Sequence, residues 1–326
     1  MNHLINHTKI QKLTGLVAAP FTPMDNSGQL NLGLVEKYGE KLKKDGVGGV
    51  FVCGTTGEGM LMISEERKAV AEKWIEQQTD NFKVIVHVGS TSSKQSKDLA
   101  IHAQQAGAYA FGCMGPMFLK PSRVEDLVTF CADVASGAPD LPFYYYHIPS
   151  VSGVNLPMTE FLSKAQVVIP NLAGIKFTHR NMMEMFQCLR ADESKWDILH
   201  GFDEELLCGL SLGAKGAVGS TFNYMAPLYL KLIKAFQNGN LDEARDYQYK
   251  SIRFIEILIR FGGGVIGGKP IMKFVGLDCG PLRTPAHNYS SDELMRYEKE
   301  LRMIGFFEWD KTFKGSNLSD FFRLNI

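Results

Sequence analysis

Gly49–Gly59 reads GVFVCGTTGEG, a short β-prone run that passes without a break into a turn of glycines and threonines. A brief run with no polar alternation is the pattern of a strand covered on both faces, as in a parallel sheet. A helix follows the turn: Ser64 opens it, and Glu65 and Glu66 sit at its positive end. Strand, glycine-bearing turn and helix thus form one unit, and the unit recurs in both directions along the chain.

Upstream, Leu13–Pro20 (LTGLVAAP) precedes a helical stretch from Asn31 to Asp45 that Gly46 closes. Downstream, Lys83–Val88 leads to a helix ending at Gly107, Ala110–Met114 to one from Arg123 to Ala135, and Leu141–Tyr146 to a short one at Met158–Lys164. Leu172–Phe177 precedes a helix from Asn181 to Arg190, Asp197–His200 one that starts near Glu204, and Gly216–Val218 one from Ala226 to Gln237. Eight β-then-α units predict an α/β fold, a closed (β/α)₈ TIM barrel, with an open doubly wound sheet as the alternative that spacing alone leaves standing. Beyond Gly239 the pattern is helical only, at Leu241–Arg260, Lys269–Gly276 and Asp292–Met303. The expected organisation is a barrel catalytic domain over residues 1–238 and a C-terminal helical extension over 239–326, without clear period from about Lys311.

The bulk composition excludes several classes. Of 326 residues, 45% are hydrophobic and 21% charged, and the formal net charge is zero, so no global charge invites nucleic acid or an anionic membrane. No stretch reaches the roughly 18 apolar residues of a membrane span. The start, MNHLINHTKIQK, lacks the apolar region of a secretory signal. The six cysteines are scattered with no CxxC pair, which suits reduced thiols in a cytoplasmic protein and argues against a zinc site built from them.

Five places carry candidate chemistry. Lys176 stands in mid-strand between Ile175 and Phe177. A lysine buried there must find a partner or lose its proton, and the neutral amine is a nucleophile able to form a Schiff base; the ordinary alternative is a snorkelling or ion-paired lysine. Thr55 and Thr56, in the turn after the second run, could grip a carboxylate with hydroxyl and backbone N–H groups, or simply form a turn. Tyr146, at the end of the fifth run, is a candidate for passing a proton; His147 is a weaker candidate base, and at least one of Tyr144–Tyr146 should be core. Gly201, Asp203 and Glu204 follow the seventh run, where adjacent carboxylates could accept hydrogen bonds from a polyol or decorate a helix start. Ser220 follows the eighth run, a region that binds phosphate in many barrels and could here donate to a sugar hydroxyl. Two patterns are set aside. Gly263–Lys269 has Walker A spacing, but Pro270 stands where a hydroxyl should, and His3 with His7 lies in a terminus unsuited to a metal site.

All these candidates stand in or just after the β-prone runs and so can collect at one barrel mouth. With GTTGE at Gly54–Glu58, YYHIPSVSG at Tyr145–Gly153, GIKFT at Gly174–Thr178, GFDE at Gly201–Glu204 and GSTFNY at Gly219–Tyr224, the chain resembles the N-acetylneuraminate lyase and dihydrodipicolinate synthase family of class I aldolases, from about Leu13 to beyond Met303. Val151 stands where dihydrodipicolinate synthases carry an arginine, so the resemblance leans to the sialic acid branch. It implies reversible cleavage of N-acetylneuraminate to pyruvate and N-acetylmannosamine, without metal or cofactor. Lys176 would form the imine, Tyr146 relay protons, and Thr55 and Thr56 hold the carboxylate. Thr178, Gly201, Asp203, Glu204 and Ser220 would line the polyol pocket. It also implies a homotetramer. One departure stands out: Phe118 occupies the place of a relay tyrosine, so Tyr144 or Tyr145 would have to serve instead. The competing expectations are an aldolase of the same family for another 2-keto-3-deoxy sugar acid, and a non-catalytic keto-acid or sugar sensor.

Overall fold

A computed structural model describes residues 11–309; His3, His7 and the segment from Lys311 lie outside the described residues. Eight parallel strands close into one barrel in sequence order. They are β1 (Gly15–Ala18), β2 (Gly49–Val52), β3 (Lys83–His87), β4 (Ala110–Met114), β5 (Phe143–His147), β6 (Leu172–Phe177), β7 (Asp197–His200) and β8 (Gly216–Gly219). Between them run α1 (Val35–Lys44), α2 (Ser64–Ile75), α3 (Ser93–Gln105), α4 (Val124–Ala135), the one-turn α5 (Pro149–Ser152), α6 (Met158–Val168), α7 (Met182–Arg190), α8 (Leu206–Leu212) and α9 (Phe222–Gln237). The open-sheet alternative is excluded, since β1 pairs with both β2 and β8.

Alternation along each strand divides the apolar side chains into two populations. Leu16, Val50, Val52, Val84 and Val86 belong to the large core between strands and helices. Val17, Phe51, Ile85, Tyr144, Tyr146, Leu199 and Val218 fill the barrel's interior as a second cluster. At its lower end Asp197 accepts hydrogen bonds from the Leu13 amide and the Tyr144 hydroxyl at 2.9 and 2.8 Å. Burial raises the Asp197 carboxyl to about pH 6, while those two donors pull it the other way.

One irregularity matters for the site. In the β5–β6 ladder Phe143 faces Leu172 but Tyr144 faces Gly174, so Ala173 bulges without a partner. From there Tyr146 lies opposite Lys176, with Ile175 and Phe177 turned to the helix layer. Gly174 is required by the close approach of β7: a side-chain carbon there would overlap the Asp197 carbonyl oxygen.

The extension comprises α10 (Leu241–Arg260), α11 (Gly263–Ile266), α12 (Gly268–Phe274) and α13 (Ser291–Met303), the last opened by a capping box between Ser290 and Glu293. The Walker-like Gly263–Lys269 stretch is thus helical, with Lys269 forming a fully buried ion pair to Glu58 at 2.7 Å. Among the described residues no helix is long and apolar enough to cross a membrane.

Candidate active site

The turn after β2 is set by its backbone. Cys53 and Glu58 bracket it with φ of 57° and 56°, in the left-handed region, a conformation that non-glycine residues adopt only when their surroundings hold them there. Two devices do so. Thr22 donates to the Gly57 carbonyl at 2.6 Å, and the Glu58 carboxylate receives Lys269 and the Arg283 amide. Among the described residues no hydrogen bond engages the amides of Thr55 or Thr56. The turn therefore presents two free N–H groups and two hydroxyls to the barrel mouth, a concavity suited to an anion.

Lys176 is 4% exposed and points into the barrel. Its Nζ lies 4.2 Å from the centre of the Phe51 ring and 3.9 Å from that of Tyr146. No carboxylate lies within ion-pair distance of it among the described residues. The Tyr146 hydroxyl lies 3.5 Å from Thr55 Oγ1, which puts a phenol, a hydroxyl and an amine around one point. His87 stands edge-on to the Tyr146 ring, with its Nδ1 on the Cys53 carbonyl at 3.1 Å. Burial, with Arg67 nearby, lowers its pKa to about 3 and so keeps it neutral.

On the opposite side, Thr178 Oγ1 is buried and has no hydrogen-bond partner among the described residues. Any side chain at position 201 would collide with that hydroxyl, so Gly201 is the residue that leaves it room. Asp203 is buried and accepts from the Thr221 amide and hydroxyl at 2.7 and 2.6 Å, both on Oδ2. Burial raises its carboxyl to about pH 6 against these donors. Glu204 is half-buried and is drawn towards Arg180.

One cleft of about 300 Å³ at the carboxyl end of the barrel is lined by all nine candidates: Thr55, Thr56, Tyr146, Lys176, Thr178, Gly201, Asp203, Glu204 and Ser220. That volume is at the lower end of small-molecule sites, roughly 300–1,000 Å³. The cleft also has walls that the sequence reading did not identify: Ile255, Leu258 and Ile259 from α10, and Val265 from α11. Their apolar helical spacing read as ordinary core, and only closure of the extension over the mouth gives them this place.

The subsidiary candidates do not join the site. Tyr144 points inward but spends its hydroxyl on Asp197 at the far end, and Tyr145 packs on Phe161 outside the barrel. Neither can replace a relay group at Lys176. His147 also faces outward, against Phe177 and His179, which removes it as a base for chemistry in the cleft. Phe118 and Val151 are exposed, at 83% and 49%, and do not line it.

Comparison with known proteins gives a consistent result. A sequence profile of the dihydrodipicolinate synthetase family matches residues 12–304. N-acetylneuraminate lyase A of Xenopus laevis is 43% identical over 281 residues, 85% of this chain and 92% of that protein. The N-acetylneuraminate lyase of Homo sapiens is 39% identical over 300 residues, 91% of this chain and 94% of its own. Among solved structures, Proteus mirabilis N-acetylneuraminate lyase superposes with a TM-score of 0.88 at 40% identity, covering 91% of this chain and all of that one.

Proposed function

The chain belongs to the dihydrodipicolinate synthetase family, and from that premise we propose that it is a Schiff-base aldolase, a carbon–carbon lyase that cleaves N-acetylneuraminate reversibly to pyruvate and N-acetylmannosamine. The observation that carries the reading is the single cleft in which a buried amine without a carboxylate partner stands between an anion-shaped turn and a row of sugar-length polar groups. The identities of about 40% to N-acetylneuraminate lyases over most of the chain support the choice of substrate.

In this reading the free amine of Lys176 attacks the C2 ketone and expels water to form the imine. Thr55 and Thr56 hold the substrate carboxylate next to it. The Tyr146 phenol relays the proton from the C4 hydroxyl as the C3–C4 bond breaks, and the bonding electrons pass into the imine to give an enamine. Protonation and hydrolysis of the enamine release pyruvate and restore the lysine. Thr178, Gly201, Asp203, Glu204 and Ser220 receive the polyol tail. The Thr178 hydroxyl, unpartnered among the described residues, and Asp203 Oδ1, the oxygen that takes neither Thr221 bond, are the groups this assigns to substrate hydroxyls.

The direct test is pyruvate release from N-acetylneuraminate, compared with shorter 2-keto-3-deoxy acids. The expected result is the highest kcat/KM on N-acetylneuraminate; turnover of a shorter acid alone would reassign the substrate. Tyr146→Phe is expected to lower kcat by on the order of 10²-fold with pyruvate-imine formation retained, the size typical of a lost acid–base group. An unchanged kcat would remove Tyr146 from the relay.

We also draw the barrel through residue 238 and the extension beyond it, and we place the protein in the cytoplasm as a homotetramer. Five of the six unpaired cysteines are buried thiols, which suits a reducing compartment, and the exposed Phe118 and Leu119 are surface that subunit contact would cover.

A further inference from the structure

Directly behind the catalytic cleft, His147, His179 and Glu184 bring two imidazole nitrogens and a carboxylate oxygen within 4.8 Å of one another. These residues come from three separate elements: the end of β5, the loop after β6, and the first turn of α7. We propose that this cluster binds one divalent transition-metal ion of the zinc type.

Three observations carry the assignment. His147 has no solvent exposure, and both of its ring nitrogens are buried without a hydrogen-bond partner among the described residues. A buried imidazole normally finds at least one partner, so two orphaned nitrogens call for a ligand. Next, the surroundings are suitably arranged. The His147 and His179 rings stand nearly perpendicular, with centres 5.4 Å apart. The Glu184 carboxylate is held at one oxygen by the Met158 amide at 2.7 Å, the kind of outer hydrogen bond that orients a metal-bound carboxylate while its other oxygen stays available. Finally, Arg180, the neighbour of His179 in the chain, is engaged elsewhere: it turns its guanidinium to Glu204 and Glu205.

Two histidines and one carboxylate form a three-ligand set that suits zinc. Tetrahedral bonds of about 2.0–2.2 Å need ligand atoms roughly 3.4 Å apart. Side-chain rotation of His179, with a pivot of the Glu184 carboxylate about its bond to the Met158 amide, closes the remaining gap. The consequence is mechanical. Tyr146 precedes His147 and Thr178 precedes His179, so the ion would tie together the strand ends that carry two cleft residues and fasten both to α7.

The test uses the full chain after chelator treatment, with zinc alone and cobalt(II) alone as probes. Calorimetric titration is expected to show one equivalent of zinc bound and a raised thermal midpoint, and cobalt(II) the intense visible bands of a tetrahedral site. His179→Ala and Glu184→Gln, each verified as folded by circular dichroism, should weaken zinc binding tenfold or more and abolish the thermal shift. Glu184→Gln keeps an acceptor for the Met158 amide, so its loss of binding cannot be attributed to a loosened helix. Absence of zinc binding to the unsubstituted chain, or binding that persists undiminished in both variants, overturns the proposal.

Discussion

Incubation with pyruvate and borohydride is expected to leave a stable adduct on Lys176, and Lys176→Ala to lower kcat/KM by on the order of 10⁴-fold or more, as when a covalent nucleophile is removed. The first result follows from the amine's position. Its Nζ rests on the faces of Phe51 and Tyr146 with no carboxylate in ion-pair range among the described residues, and it opens onto the cleft that the Thr55–Thr56 turn borders. A keto acid seated in that turn meets Lys176, the one lysine that lines the cleft among the described residues, and borohydride reduces the resulting C=N bond irreversibly. The second result should be free of structural collapse. Truncation breaks no ion pair, and the space it vacates adjoins a solvent-connected cleft rather than the sealed core. Peptide mapping reads the adduct and circular dichroism reads the fold. An unmodified protein, or an adduct on a different lysine, would remove Lys176 from the chemistry.

The largest effect on stability is expected at a distance from the amine. Glu58→Gln should cost about 3–5 kcal/mol, the range for breaking a buried ion pair from one side. Glu58 and Lys269 have side chains only 2% and 1% exposed. The lysine has one further partner, the Pro281 carbonyl at 2.7 Å, and the carboxylate has the Arg283 amide at 2.8 Å. Removing the carboxylate's charge leaves an ammonium buried and uncompensated. The double variant Glu58→Leu with Lys269→Met removes both charges and should recover much of the loss. Urea unfolding checks both, and a loss below about 1 kcal/mol for Glu58→Gln would show that the ammonium finds another partner. Because the pair fastens the turn proposed to bind the substrate carboxylate to the extension, KM for the keto acid should rise in the single variant as well.

Much of this was legible before the structure. The recurrence of β-prone runs and helices located all eight strands, because burial on both faces forces continuous apolar runs that few other arrangements tolerate. Eight of the nine residues that line the cleft were singled out because they stand in or just after parallel strands, whose carboxyl ends collect at one mouth of a barrel; Thr178 came only from the family resemblance. What the chain order could not reveal depended on long-range packing. Glu58 and Lys269 stand 211 residues apart in the chain and meet only when the extension folds back on the turn after β2, although a lysine in an apolar helical pattern poses the same question of a partner as Lys176 does. The helix α10 side chains that wall the cleft read as core because burial against a ligand and burial against protein leave the same apolar period. Tyr144, Tyr145 and Tyr146 are equivalent as letters; strand alternation sends Tyr145 outward, and the register with Asp197 spends Tyr144.

Strand parity decides where Lys176 points. Strict alternation from Leu172, which faces the helices, would give the same outward heading to Gly174 and Lys176. The unopposed Ala173 shifts the count by one, and every residue after it changes sides. The Lys176 amine thus owes its address to an uneven tally between two neighbouring strands, and restoring an even one would bury it among the helices, away from the cleft.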